Sequence, residues 1–430
     1  MRLHPSISAV AAAVAVLTAT TFQFGATPSA DAHGSGFVTK GGHHIKTPPA
    51  VKAVPVDNVR DFGAVGNGVI DDTNAIQNAA NDAANRHIGV FFPPGTYLHA
   101  NAITFNSVPV TGSGTASQLV SNNQNNCAVI LTGFNVSIQN MVISTQGLTG
   151  STSLTTPNTA TLLVQTATSF TVANNTIVAG TNIWGALVLQ STVGSISSVV
   201  FDGTGSLNDQ AVVIDQGDNV TVVNSLFQND SGGVHVLNTG GPSQFIAVLS
   251  NTIGNATFPI TEFGVNAQNV SVLDVSQNTI QLSNSNGGVA IFLSDTNDFI
   301  VSGNDTWGGL SGVEPLGPGA GNNLVTQNTI HNCGFEGIFV SNSATSAIQV
   351  TSNQFGECGL LSASPIIFIS DGGVPANDAS GPTTFVQNNS YQGHLNNLTF
   401  YIQCSYTSPH IPAANVTGNT QTQTALCNSI

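Results

Sequence analysis

The sequence predicts a parallel β-helix, a solenoid made by stacking short strands rung on rung. Three observations carry that prediction. An Asn returns at near-constant spacing, each copy between a β-branched run and an apolar residue: Asn140, Asn175, Asn224, Asn251, Asn278, Asn304, Asn328, Asn353, Asn389 and Asn419. From Asn251 to Asn353 the intervals are 27, 26, 24 and 25 residues. Ser198-Val199-Val200-Phe201 matches Asn224-Ser225-Leu226-Phe227 and splits the long gap from Asn175 into 23 and 26. Within each repeat, short alternation such as Phe299-Ile300-Val301-Ser302 reads as strand. A second set of strands, starting at Gly233, Gly264, Gly288, Gly312 and Gly337, keeps the beat at 31, 24, 24 and 25 residues. A fixed period in this range marks a repeat architecture, and this unit is strand-rich.

The pattern has a physical reading. Val and Ile stack inward, while Asn at each bend bonds the equivalent side chain one rung away and tolerates the left-handed backbone of a sharp turn. A β-sandwich would show turn signals every 8 to 12 residues without a common register.

Taken in order, residues 1–32 read as a secretory signal peptide: Arg2, the apolar run Ala9–Leu17, and Ala30-Asp31-Ala32 as a cleavage site. The apolar run falls well short of the roughly 20 residues a membrane span needs. Residues 33–55, with His33, His43 and His44 among Gly and Pro, read as a flexible leader, and residues 56–430 as one β-helix domain with a C-terminal cap. The chain is expected to be secreted. Near the start of the domain, Asp71 or Asp72 is expected to cap a helix with the apolar stripe Ile76, Ala79, Ala80, Ala83 and Ala84. That helix would cover the open end of the solenoid.

The order Asp61-Phe62-Gly63-Ala64, Gly66-Asn67-Gly68, Asp71-Asp72-Thr73-Asn74-Ala75-Ile76-Gln77 and Pro93-Pro94-Gly95-Thr96-Tyr97 resembles the opening segment of the pectate-lyase superfamily. The resemblance spans about 56–98, departs at Asn67, where that superfamily more often has Asp, and implies a right-handed β-helix. Its members include polygalacturonases, alginate epimerases and phage tailspikes, and related β-helices often form trimers, so a homotrimer is an implied assembly.

Charge narrows the partners. There are six Lys and Arg, and none follows Arg86, so 344 residues carry no permanent cation against a net charge of −15. Nucleic acid and anionic membranes need Lys or Arg and are excluded. A polyuronate would be repelled and held only through Ca²⁺ or neutral donors, so a neutral glycan is the preferred substrate class. Five cysteines in a secreted chain invite pairing. Cys333 and Cys358, 25 residues apart, fall one rung apart, about 4.8 Å between backbones and within disulfide reach, although a stacked pair of free thiols would fit as well. Cys404 and Cys427 are expected to staple the C-terminal cap.

In this superfamily the groove runs along one parallel sheet. Two residues after the Gly-Val starts, pointing outward, come His235, Asn266, Ala290, Glu314 and Phe339. His235, Asn266 and Glu314 are the substrate-binding candidates, with Glu314 expected on a protruding loop. Aligned with polygalacturonases, Asn208-Asp209-Gln210-Ala211 resembles a catalytic strand start, but Gln210 falls on the first catalytic Asp, Ser231 and Gly232 on the acidic pair, and Phe263 on the His. None of those roles carries over. Asp209, Asp230 and Glu262 remain as acid/base candidates, Asp209 and Asp230 roughly 5–6 Å apart if both point outward. Glycoside hydrolysis needs two carboxylates about 5–9.5 Å apart, one of them protonated. The same acids could instead be turn residues, or hold Ca²⁺ between rungs. Trp307 and Trp184 are candidates for sugar stacking or for the core. The expected function is action on an extracellular polysaccharide, hydrolysis of a neutral glycan by paired carboxylates. The alternative is a non-catalytic, adhesin-like or glycan-binding rod. A Ca²⁺-dependent lyase ranks below both, and no other cofactor is expected.

Overall fold

A computed structural model describes residues 55–426, apart from 124, 126–127, 151–159, 205–209, 284–286, 318–320, 342–347, 359–365, 371–384, 392–400, 406–415 and 420–423. The signal-peptide and leader expectations and the Cys404–Cys427 pairing lie outside the described side chains. Within the described residues the fold is a parallel β-solenoid. Every strand pairing is parallel, and the strands form three sheets of 14, 13 and 13 strands, each built by taking every third strand of the chain apart from one shorter step at an end. We call them A, B and C in the order in which they open, with first strands Val56–Asn58, Asn67–Asp71 and Ile103–Asn106. One coil of the body runs Gln210–Asp215 in sheet C, Asp218–Val223 in sheet A and Leu226–Gln228 in sheet B, then returns to sheet C at Gly232–Leu237.

Val, Ile, Leu and Phe from successive rungs fill one continuous core; Phe201 and Phe227, for instance, stack at 5.1 Å. At the corner before sheet B runs the Asn ladder. The backbone N–H of Asn251 donates to Asn278 Oδ1 (2.9 Å), Asn278 to Asn304, Asn304 to Asn328, Asn328 to Asn353, Asn353 to Asn389 and Asn389 to Asn419. Each Nδ2 also bonds a backbone carbonyl of the preceding coil, as Asn251 does with Val222 (2.9 Å). Buried amides are thus satisfied without water.

Two of the periodic Asn lie one residue off this ladder. Strand register places Met141, Asn175, Val199, Ser225 and Asn251 in one column, so Asn140 and Asn224 precede it. Both have positive φ (57° and 51°), as do Ser250, Gln277, Gly303, Gln327, Ser352 and Asn388 at the equivalent place. The left-handed residue of the bend and the ladder residue are therefore neighbours, and Asn suits both for different reasons.

The helix Thr73–Arg86 caps the solenoid, burying Ile76, Ala79, Ala80 and Ala83, with Ala84 partly buried. Gln77 pairs both amide atoms with the backbone of Thr104 (3.0 Å each), so its side chain acts as one more rung on the edge of sheet C. The N-terminal turn is shared by two acids. Asp71 accepts from the Thr73 N–H, whereas Asp72, at the cap position, turns back to accept from Val65 and Gly66. Gly66 (φ 65°) lies flat on the Tyr97 ring, where a Cβ would come 2.7 Å from it. Asn67 Oδ1 accepts from Val69 and Ile70, making the turn with an amide.

Candidate glycan site on the outer face of sheet C

Side chains alternate across each strand, so every second residue of sheet C faces away from the core. Register places Leu163, Leu187, Val213, His235, Asn266, Phe292 and Glu314 in one outward row on seven successive rungs. The three substrate-binding candidates, His235, Asn266 and Glu314, thus do share one face. Ala290 does not join them: it pairs with the level of Gly264 and is fully buried, and Phe292 takes its place. Glu314 lies inside the strand Ser311–Leu316 rather than on a protruding loop, with Pro315 accepted in the strand. Beyond it Phe339 and Phe368 stack at 5.4 Å with rings nearly parallel.

His235 is held from two sides. Its ring packs edge-on against Phe263 at 5.1 Å, and Gln268 Nε2 lies 3.3 Å from its Nε2 and 3.4 Å from Asn266 Oδ1. The amide therefore donates to Nε2, which leaves the ring proton on Nδ1. Burial pushes the His235 pKa down to about 4, so the ring is neutral at pH 7.

A parallel column carries the positions aligned with the polygalacturonase catalytic groups. Gln210, Gly232 and Phe263 pair on three successive rungs. Gln210 Nε2 crosses Gly232 and donates to Glu262 Oε2 at 3.1 Å. Only glycine permits this: a Cβ at residue 232 would collide with Gln210 Oε1. An amide–carboxylate tie thus replaces the acidic cluster, and sequence reasoning, which aligns Gln210 with the first catalytic Asp, misses the tie because its partner is 52 residues away.

The acid/base candidates separate. Asp209 lies outside the described residues. Asp230 and Glu262 are on neighbouring rungs, since the N–H groups of Thr261 and Glu262 both donate to Ser231 O (3.2 and 2.7 Å). Glu262 is half-buried beside the row, whereas Asp230 is 2% exposed, its carboxylate pressed over Gly203 in the corner between sheets. Among the described residues there is no group of three or more His, Cys, Asp and Glu placed to hold a metal ion. Trp184 is buried. Trp307 is half-buried on sheet B, where its ring stacks on His331 at 4.1 Å. Cys333 and Cys358 form the expected disulfide across one rung, Cα–Cα 4.4 Å.

The sequence profile described as rhamnogalacturonase A/epimerase, pectate lyase-like, matches residues 56–290, more than half of the chain. The chain belongs to this family. A profile of the right-handed β-helix region matches residues 210–391. No curated protein matches the sequence. Among solved structures, the surface protein and adhesin PfbA of Streptococcus pneumoniae is similar, with a TM-score of 0.52 and 15% identity, covering 81% of this chain and 100% of its own. The DFA-IIIase of Arthrobacter chlorophenolicus A6, solved as a point mutant in complex with DFA-III, is also similar: TM-score 0.51, 11% identity, 86% of this chain and 99% of its own. At these identities the likeness is one of fold, and one fold carries many activities.

Proposed function

We propose that the outer face of sheet C binds a neutral extracellular glycan. The observation that carries this reading is the row His235–Asn266–Phe292–Glu314, with Gln210 tied to Glu262 beside it. It offers a neutral imidazole, amides and aromatic rings, the groups that hydrogen-bond hydroxyls and pack against the apolar faces of sugars. The lack of any Lys or Arg after Arg86 weighs against an anionic polymer on this face. The Cys333–Cys358 disulfide fits an oxidising, extracellular setting.

The test is binding to immobilised neutral and uronic polysaccharides, followed by isothermal titration with oligosaccharides of the best binder. Selective binding to a neutral glycan, weakened at least tenfold in both His235→Ala and Phe292→Ala, supports the reading. Binding that both variants leave intact places the ligand elsewhere.

Hydrolysis is the second reading, favoured by one feature: Glu262 is half-buried and oriented by Gln210, as a working carboxylate would be. Its partner would be Asp209 rather than the corner acid Asp230. New reducing ends that vanish in Glu262→Gln, with binding retained, would establish it.

A further inference from the structure

The outward row of sheet C changes character within a single rung. Leu163, Leu187 and Val213 face away from the main core, yet they are 1%, 1% and 0% exposed and form a second apolar cluster with Ala128, Ala160 and Trp184. Their neighbours along each strand, such as Ala186 and Val188, belong to the main core, so this cluster lies on the opposite face of the same sheet. One rung later the row becomes His235, which is half-buried, then Asn266, which is buried beneath Gln268, and then Phe292, Glu314, Phe339 and Phe368, all half-buried. The outer face of sheet C is therefore covered at the three rungs of Leu163, Leu187 and Val213, and on the C-terminal side of them it is half-buried at every row position except Asn266, which is 8% exposed. Gln210 sits at the boundary: 6% exposed on the last covered rung, it reaches forward over Gly232 to Glu262.

From this step we infer that the glycan site, as read above, is closed at one end and recognises the terminus of a glycan chain rather than its interior. A chain lying along the row meets the covered cluster at His235. It extends only toward Glu314 and Phe339. The terminal sugar would then sit against hydrogen-bonded polar groups, the Gln210–Glu262 tie and His235 with its Gln268 donor.

The test counts ends against mass, whichever sugar the polymer contains. The protein is titrated with neutral glucans, mannans, xylans, galactans and fructans, each prepared as fractions of defined length. For a polymer that binds, end recognition predicts that halving the chain length doubles the binding capacity per gram, with affinity per end unchanged. Capacity per gram that does not vary with length, above a minimum of a few sugars, shows interior binding and overturns the inference while leaving the glycan site standing. No binding to any polymer in the panel overturns both. For a binding polymer, loss of binding in His235→Ala assigns the end effect to this row. Retained binding in that variant would separate the effect from sheet C and refute the closed-end account.

Discussion

On the preceding coil Asn304 accepts the backbone N–H and the Nδ2 of Asn278 and donates to Val275 O, and on the following coil it donates to Asn328, at 2.8–3.1 Å throughout. Asn304→Ala would strand the buried backbone N–H of Asn278, whose Nδ2 keeps Val248 O and Ser276 O. An unsatisfied buried donor costs about 1–3 kcal/mol, so a loss in that range is expected by urea unfolding. A loss well below 1 kcal/mol would show that the ladder does not stabilise the solenoid. His235 gives a pH prediction. Its pKa is lower folded (about 4) than in an unfolded chain, so its contribution is intact above the unfolded value of about 6.5. It is lost as pH falls from there to about 4, by about 3 kcal/mol at most. His235→Gln should flatten that part of the stability–pH curve. The ladder is legible in sequence because a buried Asn column must repeat with the coil. Spacing alone misplaces it by one residue at Asn140 and Asn224, because the adjacent left-handed position also favours Asn.

At the scale of the strand, Gly232 is the feature that lets Gln210 reach Glu262. Gly232→Ala pushes aside two side chains, the amide end of Gln210 and the edge of the Phe263 ring, rather than backbone, so a melting temperature within a few degrees of the parent is expected, together with at least tenfold weaker glycan binding. Unchanged binding would remove the tie from the site. The Cys333–Cys358 bridge closes 25 residues, and Cys333→Ser with Cys358→Ser is expected to cost about 3 kcal/mol from loop entropy. Strand starts marked by Gly-Val give the correct rows except at Gly288-Val289. There Gly is required because Glu262 O and Thr261 O approach closely, not because the strand pairs at that point, so counting from it falls two residues early and misses Phe292. Close approach and strand start leave the same glycine in a sequence, and only register separates them.

For the whole molecule, the solenoid and its capping helix are legible because both follow from local periodicity. The site is less so. His235, Asn266 and Glu314 can be placed by counting coils, but the Gln210–Glu262 tie and the covered end of sheet C depend on contacts between distant coils. The positions aligned with the catalytic groups of the superfamily's polygalacturonases hold Gln210, Ser231 and Gly232 in place of the acids and Phe263 in place of the His, which is why family membership does not supply the chemistry. Without cations in the body, binding should be nearly indifferent to salt between about 50 and 500 mM, unlike recognition of a polyanion. The most direct measurement is titration of the protein and of its Phe292→Ala variant with a neutral polysaccharide chosen from a binding panel. A neutral glycan that binds the parent, is insensitive to salt and binds the variant at least tenfold more weakly is the predicted result. Preferential binding of a uronic polymer, or equal binding by parent and variant, would contradict the assignment of the outer face of sheet C as the glycan site.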